Sequence, residues 1–260
     1  MRQGPALEHS FGDLPVAPDE RRARIRRVFN AVAPRYDLMN DLMSMGIHRL
    51  WKRTLARRVA AVGGTAVDLA GGTGDVARLL VRADRTVTVC DPSAAMMAAG
   101  ARRDGGATTP LFWVEGEAER LPFADASVDL LVVSFGLRNT TDPKRALAEV
   151  RRVLKPGGTF VCLEFSRPAA WFAPAYDLYS RWVIPALGAA VARAPEAYRY
   201  LVESIRRFPD QAEFARWLQE AGFAGVRWEN LSLGIACLHF GQRPQGEASE
   251  PAAPIAARAA

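Results

Sequence analysis

The sequence is poor in the residues that build metal centres and disulfide frameworks. Its 260 residues contain only three cysteines and three histidines, which are widely spaced and include no C-x-x-C pair. Each cysteine lies in an apolar run, so we interpret Cys90, Cys162 and Cys237 as buried core residues with reduced thiols. The sequence therefore predicts neither a metal site nor a disulfide scaffold.

Long apolar runs are also missing. The best candidate, residues 182–192, is too short to span a bilayer and is interrupted by Pro185 and Gly188. The N-terminus is polar and has no apolar segment of the signal-peptide type. We therefore expect a cytoplasmic protein.

Composition and charge fit one soluble α/β domain. Apolar residues make up 49% and charged residues 24% of the chain, and the net charge is +6. A basic protein favours nucleic acid, anionic lipid or an anionic substrate, but charge alone does not choose among them. Residues 1–18 and 244–260 lack periodicity, so we expect a flexible N-terminus, a single domain at 19–243 and a disordered tail.

Helical and extended patterns alternate between these ends, which predicts a doubly wound, mainly parallel sheet. Such sheets bind ligands at the carboxyl ends of their strands. The predicted strands are 66–69, 86–90, 110–114, 128–134, 159–164, 226–231 and 234–241. The predicted helices are 19–33, 48–62, one from 75, one capped by Ser93, 142–153, 176–192, 197–206 and 210–221.

A glycine-rich loop follows the first strand of the predicted sheet. Gly71, Gly72 and Gly74 allow a sharp turn and a close approach to a ligand. Together with Ala77 the loop also satisfies the pattern G-x-G-x-x-A, so a nicotinamide dehydrogenase is an open alternative at this point.

Acidic residues near the strand ends favour a cationic ligand over a dinucleotide. Asp68, just before the loop, would attract the sulfonium and ammonium of S-adenosylmethionine and repel a pyrophosphate. Asp91 ends the next strand, where its carboxylate can accept hydrogen bonds from ribose hydroxyls, although it could instead cap the following helix. The turn LKPGG at 154–158 precedes a late strand and resembles the class I methyltransferase pattern. The sequence therefore favours a methyltransferase.

Further segments resemble the ubiquinone/menaquinone biosynthesis C-methyltransferases. They are YDLMNDLMSMGIHRLWK at 36–52, RVLKPGG at 152–158, LEFSRP at 163–168, and the shorter matches at 135–139, 198–205, 208–211 and 230–239. The resemblance covers roughly residues 25–243. It implies a Rossmann-like class I methyltransferase with a seven-stranded, mainly parallel sheet, helices on both faces and an N-terminal helical cap. It also implies C-methylation of a polyprenylated quinol, either 2-polyprenyl-6-methoxy-1,4-benzoquinol, demethylmenaquinol or both.

The resemblance implies contacts to S-adenosylmethionine from Thr73, Asp91, Glu117, Ala118 and Ser134. Together with the acid and the glycines of the loop region, the predicted cofactor residues are Asp68, Gly71, Gly72, Thr73, Gly74, Asp91, Glu117, Ala118 and Ser134. The family usually has asparagine at the position of Glu117.

Catalysis requires the acceptor carbon to become nucleophilic, which the loss of a phenolic proton promotes. A free phenol titrates near ~10, so a nearby base or cation is needed at neutral pH. The matching segments supply the candidates His48, Arg138, Asp37 and Tyr200, with Tyr36 and Asn40 beside them. No single base is chosen among these residues.

Each candidate also has a structural interpretation. His48 has the natural pKa of a base, or it is a helix-start histidine packed on Trp51. Arg138 could stabilise a phenolate, or it forms a salt bridge with Asp142 or another nearby acid. Asp37 could simply cap a helix.

A prenylated substrate suggests attachment to a membrane surface. The basic segment 21–27 and the apolar stretch 171–185 could together lie on anionic lipid. The alternative is that the arginines form a solvated face and the apolar stretch belongs to the core. The sequence also allows a homodimer or a complex with other quinone-biosynthesis proteins.

Two other functions remain open, and one is disfavoured by its motifs. A methyltransferase for a soluble aromatic acceptor and a non-catalytic cofactor-binding protein are the open alternatives. A nucleic-acid methyltransferase is disfavoured because SFGL at 134–137 stands where an amino-methylating enzyme has Asn/Asp-Pro-Pro-Tyr/Phe. No cysteine nucleophile of the cytosine type is evident either.

Overall fold

A computed structural model describes residues 10–11, 14–32, 41, 44–103, 110–179 and 195–246. Within these ranges seven strands form one sheet in the order β5-β4-β3-β6-β7-β9-β8. The strands are β3 (Gly64–Leu69), β4 (Arg85–Asp91), β5 (Phe112–Glu115), β6 (Val128–Ser134), β7 (Leu154–Phe165), β8 (Ala224–Leu231) and β9 (Ala236–Gln242).

The sheet is parallel except at one strand. β3 to β7 pair in parallel, whereas β9 is antiparallel to both β7 and β8. The chain proceeds outward from β3 through β4 to β5, and then returns to the other side of β3 for β6 and β7. The carboxyl ends of β3, β4 and β6 therefore meet at the switch point, which is where ligands bind in such sheets.

Helices cover both faces of the sheet, as the sequence predicts. They are α1 (Pro18–Val32), α2 (Ile47–Arg58), α3 (Asp75–Leu80), α4 (Ala94–Ala101), α5 (Pro143–Val153), α6 (Ala173–Leu178), α7 (Pro195–Arg207) and α8 (Gln211–Glu220). Short 3₁₀ turns lie at Leu137–Asn139 and Ser232–Gly234. No helix within the described ranges has the length and apolarity needed to cross a membrane.

The side chains of strand β6 are buried on both faces of the sheet. Leu131 and Val133 belong to one core cluster, and Leu130 and Val132 belong to the other. Successive side chains of a strand point to opposite faces, so a strand covered on both faces must be apolar at nearly every position.

The three cysteines are buried free thiols, which confirms their interpretation as core residues. Burial raises the pKa of Cys90 and of Cys237 to about 12, so both thiols stay protonated at neutral pH.

Part of the N-terminal segment pairs with itself and contacts the rest of the protein. Ser10–Phe11 (β1) pairs antiparallel with Leu14–Pro15 (β2), and Ser10 is buried. The buried Arg21 guanidinium donates to the Ser10 carbonyl at 2.7 Å and to three carbonyls of residues 138–140, so it links this segment to the loop after β6. The flexibility of residues 1–18 stays a prediction.

Two further boundaries differ from the predictions. β7 begins at Leu154, so the predicted KPGG turn lies within the strand, where the Gly157 N–H donates to the Arg243 carbonyl at 2.8 Å. The predicted helix 176–192 overlaps α6 only at its start, since residues 180–194 lie outside the described residues. The predicted disorder of the tail from 247 onward also lies outside them.

Candidate active site

The loop after β3 has the sharp turn that its glycines predict. Ala70, Gly72 and Gly74 all have positive φ values, of 53°, 55° and 79°. A Cβ on Gly72 would lie 3.1 Å from the Met96 methyl carbon, so a side chain there would narrow the space in front of the loop. The loop therefore exposes backbone to a ligand at the switch point.

Asp91 joins the tip of β4 to this loop. Its Oδ2 accepts from the Gly72 N–H and its Oδ1 from the Ser93 N–H, both at 2.8 Å. The helix that follows is capped by Ser93, whose Oγ accepts from the Met96 N–H, so Asp91 is not the N-cap residue. Burial raises the pKa of Asp91, and the two backbone donors oppose that rise.

Asp68 lies beneath the loop. Its Oδ2 accepts from the Ala77 N–H at 2.9 Å, and its Oδ1 is buried without a hydrogen-bond partner among the described residues. Burial raises the pKa of Asp68 to about 7. A Cβ on Gly71 would stand 2.8 Å from the Asp68 carboxyl carbon, so loop and carboxyl group are in direct contact. A cation bound near the loop would favour the ionised form of Asp68.

A cleft of about 880 Å³, counted with its open mouth, lies in front of these groups. Four predicted cofactor residues line it: Gly72, Asp91, Glu117 and Ala118. Five do not line it: Asp68, Gly71, Thr73, Gly74 and Ser134. Ser134 ends β6, and its Oγ is buried without a hydrogen-bond partner among the described residues.

Helix α1 forms one side of the cleft. Ile25 lines it, and the guanidinium groups of Arg22 and Arg26 lie 3.6 and 3.5 Å from the Glu117 carboxylate. The basic segment 21–27 therefore makes contacts within the protein, and the buried Arg21 is not part of an exposed basic face. No sequence pattern linked this segment to the cleft.

Arg138 forms a buried salt bridge, as its structural interpretation proposed, but its partner is Glu164 and not Asp142. Its Nη1 lies 2.9 and 3.1 Å from the two oxygens of Glu164, and both residues are buried. Asp142, the partner named from sequence, instead caps α5 by accepting from the Arg145 N–H. Arg138 does not line the cleft among the described residues.

Tyr200 is hydrogen-bonded to Asn139, a residue of the cleft that was not among the predicted site residues. Its hydroxyl donates to Asn139 Oδ1 at 3.0 Å, and the Asn139 amide nitrogen donates to the Phe135 carbonyl at 3.3 Å. Asn139 lines the cleft. The ring of Tyr200 stacks on Phe11 at a centroid distance of 4.4 Å, and burial raises the pKa of Tyr200. Asn139 lies within a matching segment, which was the only signal for it.

His48 is buried near the start of α2 and does not line the cleft. Its Nδ1 lies 2.8 Å from Ser44 Oγ, and burial together with the Lys52 charge lowers the pKa of His48 to about 4. The imidazole is therefore neutral at pH 7 and is a weak base. Asp37, Tyr36 and Asn40 lie outside the described residues.

An aromatic cluster borders the cleft beside Asn139. Phe135 lines the cleft in a left-handed conformation, with a φ of 57°. Its ring lies 4.6 Å from the Phe165 ring and 6.1 Å from the Trp51 ring, centroid to centroid. These three rings come from α2 and from the ends of β6 and β7, so only the topology of the sheet brings them together.

The groups at the glycine loop are compatible with S-adenosylmethionine. Gly72 leaves room at the loop, Asp91 offers a carboxylate at the strand tip, and Asp68 has an unsatisfied buried oxygen beneath. Acidic groups at this place suit a ligand that carries a sulfonium and an ammonium.

Comparisons with known proteins show the family of this chain. The ubiE/COQ5 methyltransferase family matches residues 17–243. The ubiquinone/menaquinone biosynthesis C-methyltransferase UbiE of Rubrivivax gelatinosus is 61% identical over 94% of this chain and 96% of its own length. The protein of the same name from Caulobacter vibrioides is 48% identical over 89% of this chain and 96% of its own.

A solved structure supports the fold. An S-adenosylmethionine-dependent methyltransferase from Thermotoga maritima, described as a possible histamine N-methyltransferase, has a TM-score of 0.61 and 19% identity. The likeness covers 84% of this chain and 99% of that one. The sheet predicted from the sequence is thus confirmed as the Rossmann-like class I methyltransferase fold.

Proposed function

Because this chain belongs to the ubiE/COQ5 methyltransferase family, we propose that it methylates a ring carbon of a polyprenylated quinol with S-adenosylmethionine as the donor. The acceptor is 2-polyprenyl-6-methoxy-1,4-benzoquinol, demethylmenaquinol or both. The chain is a C-methyltransferase, and its relatives over nearly its whole length bear the name of ubiquinone/menaquinone biosynthesis enzymes.

One observation of the site carries the proposal: the buried Asp91 carboxylate joins the β4 tip to the glycine loop, and both line the same cleft. The donor supplies an electrophilic methyl group when bound. Gly72, Asp91, Glu117 and Ala118 line the cleft, so we infer that they would hold it, and an ionised Asp68 would favour its positive charge from beneath the loop.

The acceptor ring belongs beside Phe135 and Asn139, which line the same cleft. Phe135 offers an aromatic face, and Asn139 is held by Tyr200 and by a backbone carbonyl. Helix α1 contributes Arg22, Ile25 and Arg26 to the lining, and a ligand held between α1 and the glycine loop would have its reacting groups close together. A group that removes the phenolic proton must face this space. His48 is neutral and could accept a proton, but it is not among the described residues that line the cleft.

The substrate proposal predicts a strong dependence on the prenyl tail. Purified protein with S-adenosylmethionine should methylate a prenylated quinol with a kcat/KM at least about tenfold above that for the tail-less ring, since burying a few methylene groups is worth that much. Methyl transfer is measured by mass spectrometry of the extracted quinol. Equal rates for the two acceptors would favour a soluble aromatic substrate instead.

A further inference from the structure

A second cavity lies beside the cleft and shares part of its lining. Its volume is about 850 Å³, counted with its open mouth. Arg26, Pro92 and Glu117 line both cavities. The two cavities are therefore neighbours, and these three residues lie at the boundary between them.

Two arginines of α1 lie against Glu117 at this boundary. Arg26 Nη2 lies 3.5 Å from Glu117 Oε1, and Arg22 Nη1 lies 3.6 Å from Glu117 Oε2. The contacts join α1 to the loop after β5, which follows it by about 90 residues in the sequence. The three side chains are between 40% and 55% exposed. Exposed ion pairs contribute little to stability, so these contacts can break and re-form.

The neighbouring Arg21 holds α1 to the opposite wall of the cleft. Its buried guanidinium donates to the carbonyls of residues 138–140, in the loop after β6, and Asn139 and Thr140 of that loop line the cleft. Breaking hydrogen bonds of a buried cation is costly. Helix α1 therefore bridges the two walls, with a firm attachment at Arg21 and a weak one at Glu117.

Arg22 has a second acceptor when its contact with Glu117 breaks. Its Nη2 donates to Asp19 Oδ1, one turn earlier in the same helix. The guanidinium therefore stays paired in either state, which lowers the cost of separating α1 from the loop after β5. Only a charged side chain at position 117 can form these ion pairs, and the asparagine that is usual there in the family could not.

We propose that Arg22 and Arg26 are positioning residues for the methyl donor. Through Glu117 they hold α1 across the cleft and close its boundary with the second cavity, so that a bound donor leaves slowly. When the contacts with Glu117 break, the two cavities become one opening, by which the donor enters and the demethylated product leaves. This inference rests on the proposed function for the identity of the donor, but it does not depend on the acceptor.

The test measures how fast S-adenosylhomocysteine leaves the full chain, by chasing the labelled compound with an excess of the unlabelled one. Arg22→Gln with Arg26→Gln removes both contacts with Glu117. Arg24→Gln with Arg27→Gln is the matched control, because it removes two charges from the same helix, where Arg24 pairs with Glu20 and Arg27 is exposed.

Release should be roughly three- to tenfold faster from the Arg22→Gln, Arg26→Gln protein, since each exposed ion pair contributes up to about a factor of five. The control should release the product at the wild-type rate, and Arg22→Lys with Arg26→Lys should restore slow release. High salt should speed release from the wild-type chain towards the rate of the glutamine variant, because it screens exposed charges.

Glu117→Gln separates this role from a general effect on folding, because it removes the same ion pairs from the other side. In that background the two arginine-to-glutamine substitutions should change the release rate by less than about twofold. Hydrogen exchange of the α1 amides, in protein saturated with S-adenosylhomocysteine, should be faster in the Arg22→Gln, Arg26→Gln protein than in the control.

Unchanged release from the Arg22→Gln, Arg26→Gln protein would overturn the proposal and leave the proposed function standing. So would an equal acceleration by these substitutions with Glu117 and with Gln at position 117. A wild-type chain that binds neither S-adenosylmethionine nor its product would overturn both. If the release rates follow the expected pattern but quinols stay unmethylated, the roles of Arg22 and Arg26 stand and the proposed acceptor is wrong.

Discussion

Asp91→Ala is expected to weaken the binding of S-adenosylmethionine at least about 100-fold. The Asp91 carboxylate accepts from the Gly72 and Ser93 N–H groups at 2.8 Å each, and it also faces the cleft. A ligand hydroxyl that donates to this carboxylate would gain roughly 1.5–3 kcal/mol, and about 1.4 kcal/mol is a factor of ten in affinity; loss of the bond to Gly72 also lets the loop leave its binding conformation. The variant loses both the shape of the loop and the acceptor for the ligand.

The matched control for this prediction is Asp84→Ala. Asp84 lies just before the other end of the same strand, where its side chain is exposed and pairs with Arg82. Equilibrium dialysis with labelled donor should give the control the affinity of the wild-type chain. An Asp91→Ala protein that is folded and binds the donor normally would remove Asp91 from the binding site.

Arg138→Met is expected to lower the free energy of unfolding by about 3–5 kcal/mol, because it leaves the buried Glu164 carboxylate without its cation. For a chain of this size the melting temperature should fall by roughly 6–20 °C. Urea denaturation followed by fluorescence measures the loss. Lys144→Met, which breaks the exposed pair between Lys144 and Glu220, should change the midpoint little.

The pH dependence of that loss identifies its cause. Burial already raises the pKa of Glu164, and Arg138 opposes the rise, so removing Arg138 raises the folded-state pKa further. A carboxyl group with a raised pKa in the folded state contributes stability below its unfolded pKa and loses it as the pH rises through the folded value. Arg138→Met should therefore be least damaging at acid pH, and the double variant Arg138→Met, Glu164→Leu should recover much of the loss. A loss that is independent of pH and persists in the double variant would contradict this explanation.

The sequence could predict the parts of this site that are local. The glycine loop, Asp68 before it, Asp91 at the next strand tip and the helix cap Ser93 lie within 26 residues, 68–93, and each has a known backbone role. Alternating patterns also located the strands to within a few residues.

Contacts between distant segments could not be predicted in this way. Arg21 lies more than 100 residues before three of the four carbonyls to which it donates. Arg138 contacts Glu164 only because β6 and β7 are neighbours in the sheet. A charged residue has many possible partners in a sequence, so Asp142 was as plausible as Glu164 for Arg138. The same holds for Asn139, whose position in the cleft depends on Tyr200 in α7.

The predicted catalytic residues differ in how they relate to the cleft. Tyr200 reaches the cleft through Asn139, whereas Arg138 binds Glu164 and His48 is a neutral, buried imidazole away from the cleft lining. The roles of these residues in proton removal stay predictions. The role of Asp37 also stays a prediction, because Asp37 lies outside the described residues.

Calorimetric titration of the purified full chain tests the central claim most directly, because it asks which ligand the loop between β3 and α3 binds. S-adenosylmethionine and its demethylated product should each bind one site per chain, and NAD should produce no heat of binding at the same concentrations. Tight binding of NAD, with no response to either methionine derivative, would contradict the assignment of the cleft.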